Sequence, residues 1–137
     1  MTDRVLDKYL PRAATLRDDQ AAQAEEDAIE DLGGFGWLRG SRERAEALEL
    51  RKKDGRILAI PYGWIETLEF DPTEGIKITV LGRQIHIQGQ NLNTETKPQV
   101  QLFNGLARRK VPWLQEATRT EALDAASDMP VVITVRW

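Results

Sequence analysis

The sequence lacks the residues on which most metal and nucleophile chemistry depends. Its 137 residues include no cysteine, which excludes disulfides and thiolate catalysis, and a single histidine, His86. One imidazole cannot supply the cluster of nitrogen and sulfur ligands that zinc and iron sites use. The two serines, Ser41 and Ser127, stand outside any GxSxG motif. We therefore predict a protein that is not an enzyme and that holds no metal and no cofactor.

Long apolar runs are also missing. No stretch reaches the roughly 18 apolar residues that a membrane-spanning helix needs. The first residues, MTDRVLDKYLPRAATLRDD, lack the apolar core of a secretory signal, so we expect a cytoplasmic protein. The length corresponds to about one domain with a core of its own.

The net charge of −3 is distributed unevenly along the chain. Residues 1–40 carry nine acids and five bases, and the stretch from Asp18 to Asp31 contains seven acids and no base. Nucleic-acid-binding proteins normally present the opposite field. We therefore expect a protein partner or a homo-oligomer rather than nucleic acid or a membrane. The charge and the patterns below predict an acidic, partly mobile helical arm with a Gly-rich hinge over residues 1–40 and a single β-rich domain over residues 41–137.

The two parts differ in their sequence patterns. Alanine, glutamate and glutamine predominate from Asp18 to Leu32 and predict a helix that ends at Gly33 and Gly34. From Ala45 the period changes to two, and ALELRKKDGRILAIP predicts a β-hairpin. A three-residue loop, Lys53–Gly55, pairs Leu50 with Leu58 and Leu48 with Ile60, which matches large apolar side chains across the strands.

A second hairpin is predicted by GIKITVLGRQIHIQGQ. Isoleucines alternate with polar residues on both sides of Leu81, so that all of them share one face. A two-residue turn at Gly82 and Arg83 pairs Val80 with Ile85 and Ile78 with Ile87.

The remaining segments complete an α+β fold. A helix is predicted at about residues 99–110, with Val100, Phe103 and Leu106 on its apolar stripe, and VVITVRW predicts a closing strand at an edge of the sheet. The intervening residues 115–129 are polar, and EALDAA is compatible with one helical turn. We predict about five strands in an antiparallel β-meander or a partly closed small barrel, with one packed helix and a helical N-terminal arm. Trp64 and Trp113 are expected in the core or at its rim.

The glycine-rich stretch GGFGWLRG, Gly33 to Gly40, resembles the aromatic octamer of RNA-recognition domains at Gly34, Phe35, Gly36 and Leu38. It lacks the first basic residue and the last aromatic residue of that octamer. Its glycine spacing also differs from the dinucleotide fingerprint. Two interpretations remain for Phe35, Trp37 and Leu38: they pack on their own sheet, or they form a docking motif for a partner.

LELRKKDGRILAI together with the later Phe70-Asp71 resembles the first motif of the Sm-like RNA-binding barrels, which also places Asp-Gly in a strand turn. The resemblance covers about 40 residues and would imply a small barrel that binds RNA. The asparagine that this family uses for uridine has no counterpart after Asp71, where PTEGI follows.

The function that these observations favour is a small interaction or adaptor domain that makes protein contacts, or assembles with itself, through its sheet edges and N-terminal arm. A Sm-like or other small-barrel nucleic-acid-binding module is one alternative, and a small-molecule-binding or hydrolytic domain around His86, Glu66 and Glu69 is another. Contact between the basic run and the acidic arm is a further hypothesis, of autoinhibition. The candidate basic patch consists of Arg51, Lys52, Lys53, Arg56, Arg108, Arg109 and Lys110.

Overall fold

The computed structural model describes residues 28–137, and the elements in this range are mostly β-strands. The strands are β1 (Ile29–Asp31), β2 (Gly36–Leu38), β3 (Ala47–Arg51), β4 (Ile57–Pro61), β5 (Ile65–Asp71), β6 (Gly75–Val80), β7 (Arg83–Gln90), β8 (Trp113–Gln115) and β9 (Val131–Arg136). The helices are α1 (Leu102–Ala107) and α2 (Arg119–Asp124), and a 3₁₀ turn covers Tyr62–Trp64.

The described strands form three sheets, in the orders β1-β2, β4-β3-β8 and β5-β6-β7-β9. This is a small, mostly β fold with two short helices, and its strands do not close into a barrel. The predicted small α+β class is confirmed in this coarser form, whereas the described strands form three sheets rather than one five-stranded meander and do not close into a barrel. The parallel pairing of β3 with β8 breaks the meander. The sequence did not predict this pairing, because a three-residue strand such as β8 is too short to show a period of two.

The first hairpin is confirmed in its register. Leu50 pairs with Leu58 and Leu48 pairs with Ile60. The Lys53–Gly55 loop closes with a hydrogen bond from the Lys52 amide to the Arg56 carbonyl (2.8 Å). Gly55 has φ +95°, the left-handed conformation that such a loop requires at this position.

The second hairpin forms, but its predicted register is wrong by two residues. Val80 pairs with Arg83 and Ile78 pairs with Ile85, so the turn consists of Leu81 and Gly82. Both have positive φ (50° and 75°), which defines a type I′ turn and matches the twist of the flanking strands. A shift of two residues leaves every side chain on its original face.

The predicted apolar face is confirmed by the core. The four isoleucines of β6 and β7 are each no more than 1% exposed. They pack with residues of β3, α1, β8 and β9 in one cluster. Helix α1 forms within the predicted range but is shorter than residues 99–110, and α2 replaces the single expected turn. A capping box between Thr118 and Glu121 begins α2. The closing strand β9 is confirmed at a sheet edge, where it pairs with β7.

The last part of the helix predicted from Asp18 to Leu32 is wrong. Ile29–Asp31 form β1, which pairs with β2 so that Ile29 faces Leu38. Two glycines between the strands allow the chain to reverse, and Gly33 has φ +89°. The rest of that helix and of the acidic arm lies in residues 1–27, outside the described residues. The division at residue 40 stays a prediction, although Leu32, Phe35 and Trp37 belong to the common core.

Candidate functional site: an open sheet edge and a basic cleft

The outer edge of β4 is open within residues 28–137, because β3 is the one strand that pairs with β4. The Arg56 carbonyl and the Tyr62 amide form hydrogen bonds towards the β3 side. Backbone groups alternate in an antiparallel pair, so the N–H and C=O groups of Ile57 and Ala59 point away from β3. The next outward residue, Pro61, has no N–H to offer.

The outer edges of β8 and β9, by contrast, have backbone partners. The outer edge of β8 contacts the β1–β2 segment, since Gln115 N–H donates to the Gly34 carbonyl (2.9 Å). The edge of β9 is covered by residues 116–117, where Ala117 N–H donates to the Val132 carbonyl (2.8 Å). The edge strand β5 lies beside α1, and Phe70 contacts Phe103 with ring centroids 5.8 Å apart. What distinguishes the open edge of β4 is the exposed apolar surface beside it, at Ile57 and Trp64.

A shallow apolar groove follows this open edge. It has a volume of about 190 Å³ and lies between β4 and the tip of the β6–β7 hairpin. Three large apolar side chains are strongly exposed here or beside it: Ile57 (58%), Trp64 (56%) and Leu81 (72%). We call this surface the β4 groove; its walls are Leu58, Ala59, Ile60, Pro61, Trp64, Val80, Leu81, Arg83 and Ile85. Exposed apolar side chains beside unpaired backbone groups are typical of a strand-binding surface.

A second surface, which we call the basic cleft, has the opposite chemistry. Its volume is about 270 Å³. Its lining residues include four cations and no carboxylate; they are Trp37, Arg39, Ser41, Arg44, Pro98, Gln99, Val100, Arg108 and Lys110. The cations come from three separate parts of the chain, after β2, before β3 and after α1. The fold therefore assembles a positive surface that the sequence does not show as one run.

Lys110 is the buried member of the basic cleft, with 7% of its surface exposed. Its ammonium donates to the carbonyl of Gly40 and to that of Glu43 (3.2 Å). Desolvation lowers the pKa of Lys110, and the nearby charges of Arg44 and Arg108 lower it further, while Glu43 acts in the opposite direction. Arg44 also donates to the Glu43 carbonyl (2.8 Å). The loop that enters β3 is thus held against the cleft.

The floor of the basic cleft depends on a close contact between Trp37 and helix α1. The Trp37 ring lies against Gly105, where a β-carbon would overlap ring atom Cζ3. Glycine weakens a helix by roughly 1 kcal/mol relative to alanine, so its presence in α1 had no explanation in the sequence. The structure supplies one: the missing side chain makes room for the indole.

Three comparisons with known proteins found no relative of this chain. No family model matches the chain, and neither curated proteins nor solved structures give a match. In residues 28–137 no group of three or more His, Asp or Glu side chains could hold a metal ion. No helix among these residues is long and apolar enough to cross a membrane.

The structure divides the candidate basic patch into separate places. Arg108 and Lys110 lie in the basic cleft, whereas Arg109 lines a different cleft beside Tyr62. The cations of the first hairpin contact their own chain. Arg51 lies over the Trp113 ring (4.8 Å) and Lys52 over the Trp137 ring (4.3 Å), while Arg56 pairs with Asp54 (2.9 Å). At Lys53 this contact is made by the backbone and not by the ammonium: its amide donates to the Glu116 side chain (2.9 Å).

The Gly-rich stretch packs in its own chain. Phe35 is fully buried and Trp37 is 8% exposed, with their rings in an edge-on contact (centroids 6.5 Å apart). Leu38 is half-buried. This burial matches the packing interpretation of the three residues. The docking interpretation requires accessible aromatic side chains, which this conformation does not provide.

The residues considered for catalysis, His86, Glu66 and Glu69, lie in the four-stranded sheet and contact its own residues. His86, Lys77 and Glu69 form one cross-strand row on neighbouring strands of the four-stranded sheet. Glu66 lies at the bulge of β5 and accepts a hydrogen bond from the Gly82 amide (3.0 Å) in the β6–β7 turn. The three candidates therefore do not meet in one concave site.

Sequence reasoning missed Arg39 and Arg44 as members of the basic cleft, and it placed Trp64 in or near the core. Arg39 and Arg44 carry no periodic signal, because they lie in irregular segments. Trp64 lies 56% exposed because the 3₁₀ turn that follows β4 turns its side chain outward. The true register of the second hairpin exposes Leu81 beside it.

Proposed function

We propose that this protein is a non-enzymatic interaction domain that pairs with a second copy of itself through the outer edge of β4. The observation that carries the proposal is the open edge: two residues, Ile57 and Ala59, present outward N–H and C=O groups beside an exposed apolar surface.

These outward groups are self-complementary. If two β4 strands meet antiparallel around a twofold axis at Leu58, Ile57 of each copy lies opposite Ala59 of the other. Residues directly opposite in a hydrogen-bonded antiparallel pair exchange both backbone bonds. The N–H and C=O groups of both residues would then be paired in both copies. Pro61 limits the pairing at its end because it lacks an N–H.

Apolar contacts would accompany the backbone pairing. The partner strand would lie along the β4 groove, and the exposed surfaces of Ile57, Trp64 and Leu81 are at or beside it. A twofold contact uses the same patch on both copies, as closed dimers do. One strand pair buries less area than a standard interface, so we expect a weak dimer.

The test is the molar mass in solution, measured by light scattering or sedimentation over roughly 10 to 500 μM. The wild-type chain is expected to pass from monomer to dimer in this range. Ile57→Lys places a charge on the edge and should shift the protein to the monomer, because charged side chains block edge pairing. Leu123→Lys is the matched control, since Leu123 lies on α2 and is 76% exposed, and it should leave dimerisation unchanged. A wild-type chain that stays monomeric throughout, or equal effects of the two lysines, would falsify the proposal.

A further inference from the structure

The acidic stretch of the chain enters the described structure beside the basic cleft. Ala28 is the first described residue, and its carbonyl accepts a hydrogen bond from the Arg39 amide (2.9 Å). Arg39 is one of the four cations that line the cleft. Asp27 directly precedes Ala28, so the acidic stretch joins the described structure at the residue that is hydrogen-bonded to the Arg39 backbone.

The charges on the two sides are complementary. Residues 18–27 contain five acids, Asp18, Asp19, Glu25, Glu26 and Asp27, and no base. The basic cleft has cations at Arg39, Arg44, Arg108 and Lys110 and no carboxylate among its lining residues. Opposite charges that are held together by a short covalent connection interact at an effective concentration in the millimolar range.

A contact of the same kind exists at the end of the acidic stretch. Glu30 on β1 pairs with Lys97, which directly precedes Pro98 at the wall of the basic cleft. Ten residues reach at most about 35 Å when extended, which is more than enough to cross a cleft of this size.

We propose that residues 18–27 bind in the basic cleft of their own chain, so that the protein masks its own anion-binding surface. The cleft would accept other carboxylate-rich or phosphate-rich ligands when the acidic stretch is displaced. This surface is separate from the β4 groove, and the inference does not rest on the dimer proposed above.

The decisive experiment compares the full-length chain with a full-length variant in which the five acids are neutralised (D18N, D19N, E25Q, E26Q and D27N). The probe is a labelled synthetic peptide of residues 18–28, whose binding is followed by fluorescence anisotropy at low salt. The neutralised variant should bind the peptide at least about tenfold more tightly than the wild type, because the wild-type cleft is already occupied. The difference should shrink above physiological salt, where the screening length falls below about 8 Å.

Substitutions within the cleft identify the binding surface. Adding R44Q and R108Q to the neutralised variant should abolish most of the peptide binding. The matched control is the pair R56Q and R136Q, two exposed arginines that do not line the cleft. Equal peptide affinity of the wild type and the neutralised variant would overturn the proposal, as would equal effects of the two arginine pairs.

Two further measurements distinguish residues 18–27 of the same chain from other occupants of the basic cleft. Inorganic polyphosphate should also bind the neutralised variant more tightly than the wild type; equal binding would mean that the wild-type cleft is open and that the proposal is wrong. Repeating the peptide titration in the Ile57→Lys background and at several protein concentrations tests whether a second copy provides the acidic stretch. Masking that disappears on dilution would overturn the intramolecular form, whereas masking that is independent of concentration supports it.

Discussion

Tyr62 shows how a single buried polar group contributes to stability. Its hydroxyl donates to the Val111 carbonyl (2.5 Å), which links the end of β4 to the segment that follows α1. Burial raises the pKa of Tyr62 above its ordinary value, because the core disfavours the charged phenolate, and neither the hydrogen bond nor the charge of Arg109 offsets this. The neutral phenol is therefore the form that the fold selects.

Tyr62→Phe should lower the free energy of unfolding by about 1 kcal/mol at pH 7, where it removes one buried hydrogen bond. The folded-state pKa of Tyr62 lies above the unfolded one. Its contribution is therefore complete below about pH 10 and is lost as the pH rises further. Urea unfolding of both proteins between pH 8 and 11 should show the difference shrinking at alkaline pH. The other tyrosine, Tyr9, is present in both proteins and cancels. A difference that stays constant across this range would contradict the proposed cause.

The type I′ turn between β6 and β7 has a leucine, Leu81, at its first central position, where the backbone φ is positive. Leu81 has φ +50°, and side chains other than those of asparagine, aspartate and glycine are disfavoured in this region. The surrounding hairpin overrides this local preference, since the pairing of β6 with β7 buries the isoleucine face.

Leu81→Asn should therefore raise the free energy of unfolding by about 0.5 to 1 kcal/mol, because asparagine followed by glycine is the preferred type I′ pair. The measurement is urea unfolding in the Ile57→Lys background, so that self-association does not contribute. Leu123→Asn on α2 is the control; it removes an equally exposed leucine from regular helical backbone and should not stabilise. A loss of stability in Leu81→Asn would show that the leucine side chain contributes contacts that outweigh its backbone strain.

The two long hairpins and β1 show what the sequence could and could not predict. The Lys53–Gly55 loop was predicted because glycine marks the left-handed position, and its register followed from matching leucine with leucine. The Leu81-Gly82 turn was misplaced because a leucine at positive φ leaves no signal in the sequence. The helix prediction for Ile29–Asp31 failed for a different reason: β1 pairs with β2 in a short hairpin whose Phe35 and Trp37 are buried in the common core, and this packing outweighs the weak helix propensity of so short a segment.

At the scale of the whole molecule, the candidate surfaces were predictable only in part. An open sheet has edges, so an edge site was expected, but the identity of the open edge depends on which segments cover β8 and β9. The run Arg108–Lys110 was expected to be basic. Its junction with Arg39 and Arg44 depends on Trp37 packing against Gly105, which brings the β1–β2 hairpin to α1. Such contacts between distant segments have no local pattern.

The two larger sheets are linked by the buried carboxylate of Glu116, which is 5% exposed. One oxygen accepts from the Lys53 amide in the β3–β4 loop (2.9 Å), and the other accepts from the Val135 amide in β9 (2.6 Å). Hydrogen bonds to a charged acceptor are stronger than neutral ones, and a buried amide that loses its acceptor is costly.

Glu116→Gln should lower the free energy of unfolding by about 2 kcal/mol, because the glutamine amide has one acceptor oxygen and turns an NH₂ group towards one of the two backbone donors. Hydrogen exchange should accelerate at the Lys53 or the Val135 amide, according to which of them loses its acceptor. Glu74→Gln is the matched control, since Glu74 is an exposed acid that pairs with Lys77 (2.7 Å), and surface pairs of this kind contribute little. If both variants lost the same stability, or if neither amide exchanged faster in Glu116→Gln, the carboxylate would not be the link between the sheets. A larger loss in Glu116→Gln than in Glu74→Gln, together with faster exchange at one of the two amides, is the result expected if this side chain holds β9 against the β3–β4 loop.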